Sequence, residues 1–260
     1  MVQIEALTFQ YASAAPVFRD FHWTIGRGEA WAILGPSGCG KTTLLYLLAG
    51  LRAPTAGRLV IDGDEIRRPR PRTGLILQDY GLLPWATVRE NAALGLRLRD
   101  FYGPDGRHAP AGRANTESQR AVQAAVDEWL RRLGLAEVAA RYPGQISGGQ
   151  RQRTAIARTL VLGPDLLLMD EPFASLDAPT REALQTLLLD LWTEQHLTLV
   201  TVTHAIEEAA LLGRQILVLG RPPITAPVVV PNPGAGQPDY RSTAEYRQVC
   251  ADLHAQLRAA

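Results

Sequence analysis

Three glycines, a lysine and a hydroxyl fall close together in Gly35-Pro36-Ser37-Gly38-Cys39-Gly40-Lys41-Thr42. That spacing suits one chemistry, the holding of a chain of phosphates. Glycines let backbone N–H groups curl around phosphate oxygens, and a following helix adds the partial positive charge of its N-terminus. Lys41 is placed to reach the outer phosphates, Thr42 to offer its hydroxyl to Mg²⁺, and Thr43 continues the segment. The flanks agree: Ala30-Trp31-Ala32-Ile33-Leu34 reads as a buried strand, and the run from Thr43 to Ala49 as a helix. A chance glycine turn is the alternative, expected in roughly one chain in a hundred of this length from average residue usage.

Three more apolar runs end in polar groups. Gln78 follows Gly74-Leu75-Ile76-Leu77, Asp170-Glu171 follows Leu166-Leu167-Leu168-Met169, and His204 stands just past the run from Leu197 to Val202. A lone histidine is ordinarily structural, but three strands ending in polar residues fit the rule that open α/β sheets place their chemistry at the carboxyl ends of strands. Hydrolysis of a nucleoside triphosphate needs phosphates cradled, a metal held, a water aligned and charge neutralised in transit. The loop supplies the first. Thr42 and Asp170 are the candidate Mg²⁺ ligands, with Gln78 either a third ligand or a guide for the water. Glu171 is the candidate to polarise that water, and His204 to contact the γ-phosphate.

Ser147-Gly148-Gly149-Gln150 has the pattern of a capping box opening a helix that runs to Gly163-Pro164. Two glycines weaken a first turn. They make sense if a phosphate must approach the backbone; a merely flexible start is the other reading. Tyr11 is either a half-buried sheet aromatic or a ring on which a purine stacks. In Tyr80-Gly81-Leu82-Leu83-Pro84-Trp85 the apolar residues are either tucked under the domain or kept for a partner.

The elements that must position these groups follow from composition and periodicity. At 260 residues and 46% hydrophobic, the chain can bury the core of one large α/β domain, with room for a helical subdomain. A net charge of +1 gives no hint of a nucleic-acid partner. The two cysteines, Cys39 and Cys250, suggest no disulfide framework and fit a reducing compartment. Neither a secretion signal nor a run of about 18 apolar residues is expected. Strands are expected within 2–25 and over Arg58–Gly63, and a helix with apolar residues at helical spacing over 121–133, capped at Thr116 and Gln119. Arg67 to Arg72 is expected as a solvated basic loop, Asp100 to Thr116 as a mobile loop, and 222–238 as a proline-rich stretch before a helical tail from about Thr243.

Taken together these residues closely resemble the ATP-binding subunits of ABC transporters, over about residues 2–220. Gly35 to Thr42 matches the family's Walker A motif, Gln78 its Q-loop, Ser147 to Gln150 its signature, and Leu166 to Asp170 its Walker B motif, with Glu171 the catalytic glutamate. Ser175-Leu176-Asp177 matches the D-loop, His204 the H-loop, and Tyr11 the adenine-stacking aromatic. Ile146 departs from the usual leucine of the signature, a volume-conserving change. The Leu82-Leu83-Pro84-Trp85 run resembles the importer group for nitrate, sulfonates and taurine.

The resemblance implies an α/β fold: a P-loop NTPase core with a mainly parallel sheet, an N-terminal antiparallel β subdomain and a helical signature subdomain at about 82–160. Residues 1–220 would form one ATPase domain, followed at 221–260 by the proline-rich segment and tail. It implies ATP and Mg²⁺ as ligands, and ATP sandwiched between two copies (or related subunits) with Ser147 to Gln150 of one facing the nucleotide of the other. It also implies transmembrane permease subunits docked near Leu82–Trp85, a solute-binding protein engaged indirectly, and a peripheral position on the cytoplasmic membrane face. Other readings are an exporter subunit, a non-transport ATPase of the superfamily acting on DNA or the ribosome, and a small-molecule kinase. The second ordinarily carries coiled coils or duplicated cassettes, and the third leaves the Ser-Gly-Gly-Gln helix start without a role.

Overall fold

The computed structural model describes residues 1–12, 15–102, 119–174 and 176–259. In chain order the elements are β1 (Val2–Phe9), β2 (Phe18–Ile25), β3 (Ala30–Leu34), α1 (Lys41–Leu48), β4 (Ala56–Ile61), β5 (Asp64–Glu65), β6 (Thr73–Ile76), α2 (Val88–Tyr102), α3 (Gln119–Arg132) and α4 (Gly148–Leu160). Then come β7 (Leu166–Asp170), α5 (Ala178–Gln195), β8 (Thr198–Val202), α6 (Ile206–Leu212), β9 (Gln215–Val218), β10 (Val228–Pro231) and α7 (Ala244–Ala259).

Two sheets result. An antiparallel sheet has the order β2-β1-β4-β5; a six-stranded sheet has the order β10-β9-β3-β8-β7-β6 and is parallel except where β10 meets β9. The five residues of β3, of β7 and of β8 are all buried, as strands covered on both faces must be. Alternation divides them. On β3, Trp31 and Ile33 join the core beneath α1 and the antiparallel sheet, whereas Ala32 and Leu34 face α6 and α7. On β7, Leu166 and Leu168 face that first core, and Leu167 and Met169 face the one built with α2, α3, α4 and α5. The parallel strands therefore run through a dry interior and end together on one edge. The fold is the expected α/β class.

Local differences have clear causes. The basic segment 67–72 is not wholly solvated: Arg70 is largely buried and joins Asp62, just past β4, to Asp165, just before β7. Its two ion pairs tie the antiparallel sheet to the parallel one. The loop expected from Asp100 to Thr116 is helical through Tyr102, and the rest of it, with the Thr116 cap, lies outside the described residues. Within the proline-rich stretch, Val228–Pro231 forms β10, since proline at a strand's end removes a donor without breaking the pairing. The tail helix α7 lays Val249 and Leu253 against Ile206, Ala209 and Ala210 of α6.

One buried side chain anchors this C-terminal region. Asn232 donates 2.7 Å hydrogen bonds to the carbonyls of Ala210 and Gly213 and accepts one from the Tyr240 hydroxyl. Asn232→Ala strands two buried carbonyls and a hydroxyl, so unfolding in urea should show a loss of about 2–4 kcal/mol at an unchanged m-value.

Candidate functional site

β3 delivers the chain into the glycine loop, and α1 receives it. At Gly35 a Cβ would stand 2.6 Å from the carbonyl oxygen of Leu219 and 2.8 Å from the Cys39 sulfur. Gly40, at φ 107°, is in a conformation that L side chains rarely adopt, and a Cβ there would meet Val17 Cγ1 at 2.5 Å. Pro36, Ser37 and Gly38 form the exposed crest between these two tight points. Cys39 is buried behind the crest; burial pushes its thiol pKa up, against the opposing charge of Lys41. Lys41 is buried too, and its ammonium donates to the carbonyls of Gly35 at 2.8 Å and Pro36 at 3.0 Å. A full positive charge is thus held at the mouth of a helix whose N-terminus already favours anions.

Beside the loop opens a cleft of about 520 Å³ lined by Thr42, Tyr46, Leu77, Gln78, Asp79, Asp170 and Ala174. Asp170, only 6% exposed, lies at its floor and accepts a 3.3 Å hydrogen bond from Thr42. Burial pushes the Asp170 carboxyl pKa up; the Thr42 hydroxyl opposes this, the neighbouring Glu171 adds to it, and Lys41 opposes it again. Glu171 has a left-handed backbone, φ 46°, with its N–H bonded to Val202 O at 3.0 Å. Such a conformation costs about 1–3 kcal/mol outside glycine and tends to persist at functional turns. Its carboxylate lies 3.2 Å from His204 Nδ1 and accepts from Gln78 Nε2 at 3.4 Å. Gln78, Glu171 and His204, which come from three strand ends, therefore converge on one carboxylate.

Tyr11 caps the other side of α1. Its hydroxyl is 2.9 Å from Thr43 Oγ1, its ring is 40% exposed and packs edge-on against Phe9, and the Arg52 guanidinium lies 5.8 Å above the ring centre. The 147–150 segment does not join this group; among the described residues none of it lines the cleft. Ser147 and Gln150 close a capping box at the start of α4, with bonds of 3.2 and 3.0 Å. Ser147 is exposed there, and Gly149 is pressed against Thr180 at the start of α5, where a Cβ would come within 2.3 Å of the threonine methyl. Leu176 is buried, and Asp177 caps α5 by accepting from the backbone and hydroxyl of Thr180. Ser175 lies outside the described residues.

The Leu-Leu-Pro-Trp run is tucked under the domain at one end and exposed at the other. Leu82 packs into the helical core and Leu83 is half-buried, while Trp85 is 74% exposed. Two side chains that no motif singled out fix its shape. Buried Asn91 accepts from Leu83 N–H and donates to the carbonyls of Leu83, Ala86 and Thr87. Arg158 of α4 donates to the carbonyls of Tyr80 and Gly81 at 2.7 and 2.6 Å. Each is one polar residue in an amphipathic helix, a signal too common to mark a role.

The chain matches the ABC transporter family over residues 18–174. The chain belongs to the ABC transporter family. Among curated relatives of this family, it is 43% identical over 207 residues to the taurine import ATP-binding protein of Pseudomonas aeruginosa, covering 80% of this chain and 73% of that one. It is 41% identical over 223 residues to the protein of the same name from Escherichia coli K12, covering 86% and 81%. Among solved structures it resembles a dimeric bacterial ABC transporter cassette, at TM-score 0.73 and 30% identity over 89% of this chain and 98% of that one. It equally resembles a dimeric cassette in a post-hydrolysis state bound to ADP and Pi, at TM-score 0.73 and 29% identity, covering 89% and 98%. The matched ABC segment takes in the glycine loop, Gln78, Ser147 to Gln150, Asp170 and Glu171; Tyr11, Leu176, Asp177 and His204 lie beyond it.

The raised Asp170 pKa has a sign that can be tested. The folded state holds that proton to higher pH than the unfolded chain, so Asp170 makes stability fall as pH rises from the ordinary carboxylate range through its own folded value. Asp170→Asn keeps the bond from Thr42 and removes the charge. Ligand-free, it should melt above wild type at pH 7, and the gap should close once the pH falls below the ordinary aspartate value.

Proposed function

We propose that this chain is the ATP-hydrolysing subunit of a membrane importer for a small solute of the nitrate, sulfonate and taurine type. The observation that carries the hydrolytic part is the convergence of Gln78, Glu171 and His204 beside a cleft floored by Thr42 and Asp170, next to a glycine loop that holds a lysine. The names of the relatives support the importer part.

The residues divide the work. The N–H groups of 35–43 and the Lys41 ammonium bind the phosphates of ATP, with Tyr11 stacking on its adenine. Glu171 accepts a proton from the attacking water, which Gln78 helps to orient. His204, held at Glu171, meets the γ-phosphate. Thr42 and Asp170 offer oxygens of the kind Mg²⁺ prefers, with Gln78 as a further ligand. Among the described residues no group of three or more His, Cys, Asp or Glu forms a metal cage, which suits an ion held mainly by phosphate and water. When bound, Mg²⁺ neutralises charge developing on the β- and γ-phosphates.

Ser147 to Gln150, standing away from the chain's own cleft, suit a second use. In a dimer of this chain with a copy of itself or a related subunit, they close over the γ-phosphate bound by the other. Leu176 and Asp177 border that seam. Trp85 and its neighbours dock on permease subunits, which a solute-binding protein serves from the far side. No helix among the described residues is long and apolar enough to cross a membrane. In this reading the transport path belongs to those partners, and this chain sits peripherally on the cytoplasmic face.

Two variants test this reading. Glu171→Gln should lower turnover by at least about 100-fold, as loss of a general base does, while leaving ATP affinity intact; undiminished hydrolysis removes Glu171 from its role. With saturating ATP, light scattering should find that variant dimeric. Trp85→Ala should weaken capture of the permease by about 2 kcal/mol or more, the scale of an aromatic anchor, with ATP affinity unaltered.

A further inference from the structure

One buried carboxylate takes no part in the chemistry above. Glu208, on α6, is 8% exposed, and one of its oxygens accepts a 2.6 Å hydrogen bond from the buried Thr203 hydroxyl. That hydroxyl in turn accepts from the Ala205 N–H at 3.0 Å, and Thr203 N–H donates to Ile33 O at 3.1 Å. The backbone is therefore fixed on both sides of His204. The other Glu208 oxygen faces Arg181 Nε at 3.7 Å. Arg181 lies in the first turn of α5, and its guanidinium also donates to the Leu176 carbonyl at 2.8 Å. The residue before it, Thr180, carries the methyl against which Gly149 is packed, and donates to the capping carboxylate of Asp177.

We propose that the Glu208–Arg181 pair is a positioning link between the two ATP sites of a dimer: it joins His204, at this chain's own γ-phosphate, to the Leu176–Asp177 turn and the Ser147–Gln150 helix start offered to the other site. The proposal rests on the ATPase-dimer reading above. Neither Glu208 nor Arg181 touches ATP. A shift at His204 is passed through Thr203 to the Glu208 carboxylate; parting from the partly exposed Arg181 would leave the buried Glu208 charge uncompensated, which is costly. Arg181 follows and carries the turn before α5, on which Gly149 rests. The pair is thus a short path with one charged joint, rather than general packing.

The experiment measures steady-state ATP hydrolysis, ATP binding and melting temperature for the full chain bearing Glu208→Gln, Arg181→Ala, or both. Glu208→Gln keeps an acceptor for Thr203 and removes only the charge. Each single variant should lower kcat about tenfold, with KM and ATP affinity within about twofold of wild type, and the double variant should be no slower than either single, as for residues acting through one network. Should Glu208→Gln fail to fold, Arg181→Ala, at a partly exposed side chain, reads the same joint. Single-variant turnover at the wild-type rate, or losses that multiply in the double variant, overturns the link. Glu171→Gln is run alongside: if it is dead while Glu208→Gln and Arg181→Ala are fully active, the link falls and the ATPase reading stands. If Glu171→Gln itself turns over normally, both fall.

Discussion

The molecule is arranged around a charge in a place that disfavours charge. Asp170 sits at the end of a strand buried on both faces, and the same dryness that would strengthen its pull on a cation raises the cost of ionising it. The surroundings offset that cost in part. Thr42 donates to it, Lys41 holds its positive charge at the neighbouring loop, and α1 points its N-terminus toward the same space. Parallel strands suit this problem because their carboxyl ends converge from a dry interior onto one edge, where polar groups from several strands meet.

Around that edge, small polar clamps decide which surfaces are presented. Asn91 and Arg158 bind carbonyls of the 80–87 loop and hold Trp85 outward, and Arg158 shares its helix with the Ser147–Gln150 start. Arg70 binds one sheet to the other through two aspartates. In each case a side chain with several donors satisfies backbone or carboxylate oxygens that a loop would otherwise leave unmet. The loops of this chain are built pieces, shaped by single residues on the helices beneath them.

Much of this was legible in the sequence because it is local. Glycine loop, strand ends and capping box each depend on a few neighbouring residues, so residue type and spacing suffice. Gln78, Asp170, Glu171 and His204 could be named as strand-end groups, but the meeting of Gln78 and His204 on the Glu171 carboxylate needed the strand order, in which β8 lies between β3 and β7. The left-handed turn at Glu171 had no glycine to announce it. Burial of Arg70 was hidden by its arginine-rich neighbours, and β10 by prolines that ordinarily argue against strands. Glu208 reads as one more acid in an exposed helical turn; only its place opposite Arg181 and Thr203 sets it apart. What escaped was long-range pairing, which no window of sequence contains.

The last strand has a consequence for the life of the protein in a cell. Three valines at the open edge of a sheet, two of them exposed, invite another chain to add on. Pro227 and Pro231 bracket them, leaving a usable edge only a few residues long with a donor missing at each end. A subunit whose working partners lie in the membrane is exposed whenever it is made ahead of them. Its short, bracketed edge offers another chain little length on which to pair.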